Sequence, residues 1–308
     1  MSYRTVHRSR HHFGWDNRLE PVVEVAPGDS LELEALEASG GRIRPDSDTG
    51  DVLTLDPEFA NPVTGPVRIA GAEPGDTLVV ELLELQLSGW GWTALIPEFG
   101  LLADEFPDPF LHITRHDARS VEFTPEIRIP TRPFTGTIGV APGESGRHSA
   151  IPPRAVGGNL DCRDLVAGAR LYLPVRVPGA LFSVGDTHAA QADGEVCGTA
   201  IESPMKVAVR VDLLKGEQPR YPRIELPQRS VASPPTGDVL ITTGVGDDLM
   251  GAARDAVREM IDYLVGKRGL APELAYCLCS IAADLRLTEV VNAPNWVVSA
   301  NLPLSIFV

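Results

Sequence analysis

Up to Gly246, apolar and polar residues mostly alternate, the period-two pattern of strands with one buried face. Leu31 and Leu33 point to one side of such a strand and Glu32 and Glu34 to the other. The segment Ala26-Pro-Gly-Asp-Ser-Leu-Glu-Leu-Glu is matched by Glu73-Pro-Gly-Asp-Thr-Leu-Val-Val-Glu, a Pro-Gly-Asp turn launching the strand each time. Further strands are expected around residues 111–114, 120–123, 126–129, 205–214 and 239–243, broken by Pro, Gly and Asp. This is the pattern of antiparallel sandwiches and jelly rolls. Beyond Gly246 the period changes. Leu249, Met250, Ala253, Val257, Met260, Ile261 and Leu264 recur at helical spacing, with Asp247 or Asp248 to cap the start and Gly266 or Gly269 the end. Pro272 suits the first turn of a second helix to about Ala283, and residues 285–291 read as extended. The expected fold is mostly β with an α+β C-terminal part.

A chain of 308 residues can bury a substantial core and divide into two or three packed parts. The boundaries read here are 1–135, a β-sandwich part; 136–235, a central β part; and 236–308, the α+β part. The net charge of −15 argues against nucleic acid and anionic membranes as partners. No apolar run approaches a membrane span and the N-terminus has no apolar signal stretch, so a cytoplasmic setting is expected. Cys162, Cys197, Cys277 and Cys279 show no CxxC spacing; reduced, buried thiols fit better than a disulfide or a metal knuckle.

Candidate chemistry concentrates between Gly157 and Glu202. Asn159 and Asp161 lie two apart, as do Asp186 and His188, so each pair can present two ligands on one side of a strand. Asp193-Gly194 reads as a hairpin turn between an arm ending at His188 and one running from Glu195 to Glu202. If that hairpin pairs residues whose numbers sum to an even value, Glu202 shares a face with Asp186 and His188; a slip of one residue reverses this. Asp161, Asp186, His188, Glu195 and Glu202 together suit hydrolysis assisted by a divalent metal. The imidazole favours zinc, and an oxygen-rich set suits calcium or magnesium. Zinc brings the pKa of water to about 7, and a carboxylate beyond the metal can take the proton. His188 alone equally suits a hydrogen-bonded structural role. Ser88-Gly-Trp-Gly-Trp-Thr and Ile96-Pro-Glu-Phe-Gly either close over a pocket or pack Trp90 and Trp92 between sheets. His11, His12, Trp15 and Asp16 form a second cluster, a structured N-terminal arm or a pocket wall. There is no G-x-S-x-G elbow, and no well-placed lysine to support a cysteine nucleophile.

Several of these stretches resemble the acetamidase/formamidase family. They are the nine residues from Gly157 to Leu165, the run from Leu171 to Glu202, and Ile138-Gly-Val-Ala-Pro. Gly14-Trp-Asp-Asn with Glu24-Val-Ala-Pro-Gly-Asp, Asn61-Pro-Val-Thr-Gly-Pro-Val with Ala72-Glu-Pro-Gly-Asp-Thr-Leu, and the run from Ala275 to Val291 complete the resemblance over nearly the whole chain. It implies hydrolysis of small amides, γ-lactams for some members, to ammonia and a carboxylate. It also implies a jelly-roll-like β-sandwich with a small β-barrel, an oligomer (dimer or higher) and a metal, zinc ahead of calcium. The family motif carries over onto Asn159, Asp161, Asp186, His188, Glu195 and Glu202. On chemical grounds Asp161, Asp186, His188 and Glu202 hold the metal, one carboxylate standing behind its direct ligands so that zinc keeps room for water. Glu195 is then the general base, and Asn159 hydrogen-bonds the substrate amide or its oxyanion. One departure stands out: Glu37-Ala-Ser-Gly-Gly-Arg42 replaces the family's Asp-Ala-x-x-Gly-Gln, which bears on which amide is cleaved. A small linear amide is the first expectation. A γ-lactam or larger amide is the second, and a non-catalytic β-sandwich binding protein the third.

Overall fold

The computed structural model describes residues 4–100, 103–104, 107–125, 127–191, 193–195, 197–226, 238–270, 275, 283–304 and 307. A nine-stranded sheet runs in the order Arg4–Val6, Ser30–Ala35, Met205–Leu214, Thr77–Leu87, Arg170–Pro174, Arg223–Leu226, Val239–Gly246, Trp296–Pro303 and Asp284–Glu289. Its first pair is parallel and the others antiparallel. It takes strands from all three stretches read from the sequence. A six-stranded sheet is made of Gly157–Asn159, Phe134–Gly139, Phe182–His188, Val63–Ile69 and His11–His12, with Val23–Val25 also paired to Val63–Ile69. Leu31, Leu33, Leu78 and Val207 from the first sheet and Val67, Phe134, Ile138 and Phe182 from the second share one buried core. Trp90–Leu95, Phe110–His116, Ser120–Thr124 and Ile127–Pro130 form a separate antiparallel sheet. The molecule is therefore mostly β, as the alternation predicted.

The two Pro-Gly-Asp turns are built alike. The Asp29 and Asp76 carboxylates accept from the backbone N–H of Ala26 and Glu73, each at 2.8 Å, replacing a backbone partner within the turn. The strands they launch flank Met205–Leu214 on either side. Leu31 and Leu33 are fully buried, while Glu32 and Glu34 lie on the other face.

The helix Leu249–Arg268 begins at Asp248, whose side chain accepts from the Gly251 N–H, and ends at Gly269 with φ 68°. Both caps were among the expected ones. Of the expected stripe, Met260 and Leu264 are fully buried and Leu249, Ala253, Val257 and Ile261 pack partly buried against the same core, while Met250 is 61% exposed and Ala252 and Ala256 face inward in addition. The two alanines mark a close approach. A Cβ on Gly244, in the strand beneath, would strike the carbonyl of Ala252, so at this point of closest approach only small residues fit between helix and sheet. The second helix expected from Pro272, together with Cys277 and Cys279, lies outside the described residues apart from Ala275, which is helical. The extended segment expected after it is Asp284–Glu289, at the edge of the large sheet. Among the described residues no helix is long and apolar enough to cross a membrane.

Candidate metal centre and active site

The strand Phe182–His188 presents Asp186 and His188. Glu202 stands opposite His188 in an antiparallel bridge. The Ala189 N–H bonds to the Ile201 carbonyl and the Ser203 N–H to the Thr187 carbonyl, each at 2.9 Å. His188 and Glu202 are thus a non-hydrogen-bonded pair, the kind whose side chains come closest. This is the even-sum register, and Glu202 joins Asp186 and His188. On its other side Glu202 exchanges both backbone hydrogen bonds with Trp92, at 2.9 and 2.8 Å. The site therefore lies where the four- and six-stranded sheets are joined.

Among the described residues, no tight hairpin pairing of the kind expected is seen around Asp193-Gly194. Backbone pairing ends at Ala190, which accepts from the Ile201 N–H, and the Gly194 N–H bonds instead to the Thr288 carbonyl at 3.1 Å. The loop finds its partners on the edge of the large sheet rather than within itself, because the neighbouring strand offers unpaired groups there. Of the expected second arm, only the segment around Glu202 pairs as a strand would. Docking Gly194 on that edge positions Glu195 in the same cavity as Asn159, Asp161, Asp186 and Glu202.

All six sequence-derived residues are buried. His188 Nε2 lies 3.2 Å from Asp186 Oδ1 and 3.2 Å from Glu202 Oε2, and its Nδ1 is 4.0 Å from Asp161 Oδ1. Ligand atoms of Asp161, Asp186 and His188, and again of His188, Glu195 and Glu202, lie within 4.8 Å of one another. Asp161, Asp186 and Glu195 take φ of 43°, 49° and 46°, a left-handed backbone that ordinary side chains adopt only when the surroundings impose it. Asn61 and Glu98, at 49° and 65°, line the same cavity. Five of the seven non-glycine residues with positive φ among the described residues thus line this cavity.

Burial, with the Asp186 carboxylate next, pushes Asp161 well above the ordinary carboxylate range. Burial, then Asp161, does the same to Glu195. Burial raises Glu202 to about 7. For His188 burial is the largest single effect and acts downward, but Glu202 and Asp186 together outweigh it and hold the imidazole well above its usual value.

Other residues complete the centre. Asn61 Nδ2 donates to Asp186 Oδ2 at 3.1 Å, and Asn292 Nδ2 donates to Asp161 Oδ2 at 2.5 Å. The Thr137 hydroxyl sits 2.6 Å from Asn159 Oδ1 and 3.0 Å from Asp186 Oδ2. Glu289, fully buried and raised to about 7 by that burial, accepts from the backbone N–H groups of Val291 and Asn292 and so holds Asn292 in place. Gly136 forms the floor: a Cβ there would lie 2.5 Å from Asp161 Oδ1 and 2.7 Å from His188 Cε1. A glycine within the strand-like Phe134-Thr-Gly-Thr-Ile is the sequence signal that points to such close approach; for Asn61 and Asn292 the sequence carries none.

Trp92 belongs to a strand and lines the cavity, its Nε1–H donating to Glu37 Oε2 at 2.8 Å. Glu37 is buried, accepts from Ser39 and Gly41 as well, and supports Trp92. Arg42 reaches the rim, where its guanidinium donates to the Thr54 carbonyl at 3.1 Å and lies 5.0 Å from the centre of the Phe59 ring. The departure from the family pattern thus splits into a wall support and a rim cation. His11, His12, Trp15 and Asp16 do not line the cavity. His11–His12 pairs with Val63–Ile69, Trp15 is buried in a bridge to His148, and Asp16 pairs with Arg18; the cluster is a structured arm.

The donor set suits a divalent cation. Asp161 Oδ1 and His188 Nδ1 are buried without a hydrogen-bond partner, and Glu202 Oε2 has only its 3.2 Å ion-pair contact with His188 Nε2; orphaned polar atoms are costly unless something else binds them. The only cationic partner in the ion pairs of these carboxylates, among the described residues, is His188. So much buried negative charge calls for a cation or for protonation.

A family model described as the acetamidase/formamidase family matches residues 3–149 and 143–308. The chain is 28% identical to a formamidase from Methylophilus methylotrophus, over 96% of this chain and 89% of that protein. It superimposes on the crystal structure of an acetamidase from Bacillus halodurans with a TM-score of 0.90 and 28% identity, over 98% of both chains. A gamma lactamase from Delftia acidovorans gives a TM-score of 0.68 and 28% identity, over 97% of this chain and 89% of that one. Since the likeness runs from the N-terminal arm to the last strands and takes in the whole acid cluster, the chain belongs to the acetamidase/formamidase family.

Proposed function

We propose that this chain hydrolyses a small linear amide of the formamide or acetamide type to ammonia and a carboxylate, with Asp161, Asp186, His188 and Glu202 holding a divalent metal. The protein is an amidase, a hydrolase of carbon–nitrogen bonds other than peptide bonds. The observation that carries the metal reading is the convergence of Asp161 Oδ1 and His188 Nδ1, both buried without a hydrogen-bond partner, with the buried Glu202 Oε2. The metal's contribution is Lewis-acid activation of a water molecule, and the imidazole in the set favours zinc over calcium.

The chain's own residues supply the rest. Asn61 and Thr137 orient Asp186, and Asn292 orients Asp161, as the partners of metal ligands do. With its Oδ1 beside Thr137, Asn159 offers its Nδ2–H to the amide oxygen or the oxyanion. Glu195, raised by burial, is suited to take a proton from water and return it to the departing nitrogen. The reading also includes a cytoplasmic setting, supported by the free thiols of Cys162 and Cys197. A homo-oligomer, dimer or higher, is supported by Leu285 and Leu287, 53% and 51% exposed on an edge strand.

A second reading, hydrolysis of a γ-lactam or larger amide, is favoured by a cavity of ≈ 340 Å³. One experiment tests both: ammonia or amino-acid release from formamide, acetamide, propionamide and a γ-lactam, before and after chelation and with zinc or calcium restored. Activity lost on chelation and regained with zinc supports the reading. Turnover indifferent to chelation removes the metal, and silence on every amide with metal present favours a non-catalytic binding protein.

A further inference from the structure

The cavity is chemically mixed. Its polar lining includes Asn159 and the clustered acids Asp161, Asp186, Glu195 and Glu202, while Leu55, Phe59, Ile96, Phe99 and Ile151 provide apolar walls. Its ≈ 340 Å³ falls in the range of about 300–1,000 Å³ typical of sites for much larger ligands than acetamide. A second cavity of ≈ 640 Å³ has walls that include Leu249, Val291 and Trp296. Glu98, Phe99 and Ile151 line both, so they form the partition. Phe99 is fixed within it. Its N–H bonds to the Ile96 carbonyl at 3.0 Å, and its ring lies over Gly198, where an added Cβ would come within 2.5 Å of the ring.

Resting on the amidase reading in its larger-amide form rather than its formamide or acetamide form, we infer that the substrate is a primary amide with an apolar acyl chain longer than acetyl, and that Phe99 sets how long. The amide group sits at the acid cluster, the chain runs along Leu55, Phe59 and Ile96, and Phe99 stops it. Each methylene buried along that wall raises kcat/KM by about fourfold, until the chain meets the ring. The acid cluster binds every amide alike, so selectivity arises at the apolar walls.

The test is kcat/KM for linear primary amides from acetamide to decanamide, with the wild type, Phe99→Ala and the milder Phe99→Leu. Calorimetric affinities for the same amides are measured in parallel. In the wild type kcat/KM rises along the series and then falls. In Phe99→Ala the fall moves to longer chains, and the ratio of decanamide to butanamide increases more than tenfold, with Phe99→Leu between. A wild type that prefers formamide or acetamide, or variants that change every amide by one factor, overturns the inference. If no amide is turned over, the amidase reading fails on its own. The affinities still decide the role of Phe99, since binding indifferent to chain length in all three proteins overturns it.

Discussion

His188 Nδ1 and Asp161 Oδ1 stand 4.0 Å apart, both buried and neither with a hydrogen-bond partner. That distance is too long for a hydrogen bond and short enough for one cation to be shared. Substituting either side should remove the ion. Asp161→Asn and His188→Ala are each expected to lose bound metal and to lower amidase activity by on the order of a hundredfold or more. Metal stoichiometry by elemental analysis, taken with ammonia release, checks this; full metal content in both variants would exclude these two as ligands.

The metal-free protein should weaken as pH rises. Glu202 and Glu289, whose ordinary value is 4.5, are both raised to about 7 by burial. Between those values the folded state holds protons that the unfolded state has released, so stability falls with rising pH. It is highest relative to this effect below about 4.5, and the loss is complete above about 7. A bound cation replaces the protons on the ligands, so the loaded protein should lack most of this slope. Thermal melts of chelated and loaded protein across pH 4.5 to about 8 measure it; parallel curves would show that no cation compensates the cluster.

Gly136→Ala should separate fold from site. The new Cβ meets Asp161 and His188 directly, at 2.5 and 2.7 Å. Overpacking of this kind costs about 1–3 kcal/mol, which leaves the sandwich folded. The expected result is a protein with a native far-UV spectrum, a lowered Tm and little metal or activity. Wild-type turnover in this variant would mean that the floor of the site has room to yield.

Much of the architecture was legible because burial writes itself into alternation. Leu31 and Leu33 were assigned inward from their spacing, and Asp248 and Gly269 are both helix caps. Periodicity does not pick out Ala252 and Ala256, because it ranks residues by hydrophobicity, whereas the close approach at Gly244 admits only small residues there. In the site, Asp161, Asp186, His188, Glu195 and Glu202 were concentrated in one stretch, and the fold brings them together. The wide loop was not legible: Asp-Gly favours a turn locally, but the edge strand at Thr288 offered its backbone a better partner. Asn61 and Asn292 reach the cluster from distant parts of the chain, and local pattern has no access to such contacts.

Glu195 and Glu202 are both buried acids within reach of His188, and their backbone settings suit them to different work. Glu202 is fixed by the sheet pairing on both sides and by the Ala200 N–H at 2.9 Å on its Oε1, which leaves Oε2 a rigid ligand. Glu195 rides on the loop docked at Gly194, in a left-handed backbone conformation, and is better placed to pass a proton than to anchor an ion. Glu202→Gln should therefore lose metal and activity together. Glu195→Gln should keep the metal while kcat falls by about 10² to 10⁴-fold, the usual contribution of a general base. Because the amide of Gln cannot take up a proton, the residual activity should also lose the pH dependence that Glu195 imposes on kcat. Metal content and kcat–pH profiles of the two variants decide the assignment: loss of metal from Glu195→Gln with retention in Glu202→Gln would exchange their roles.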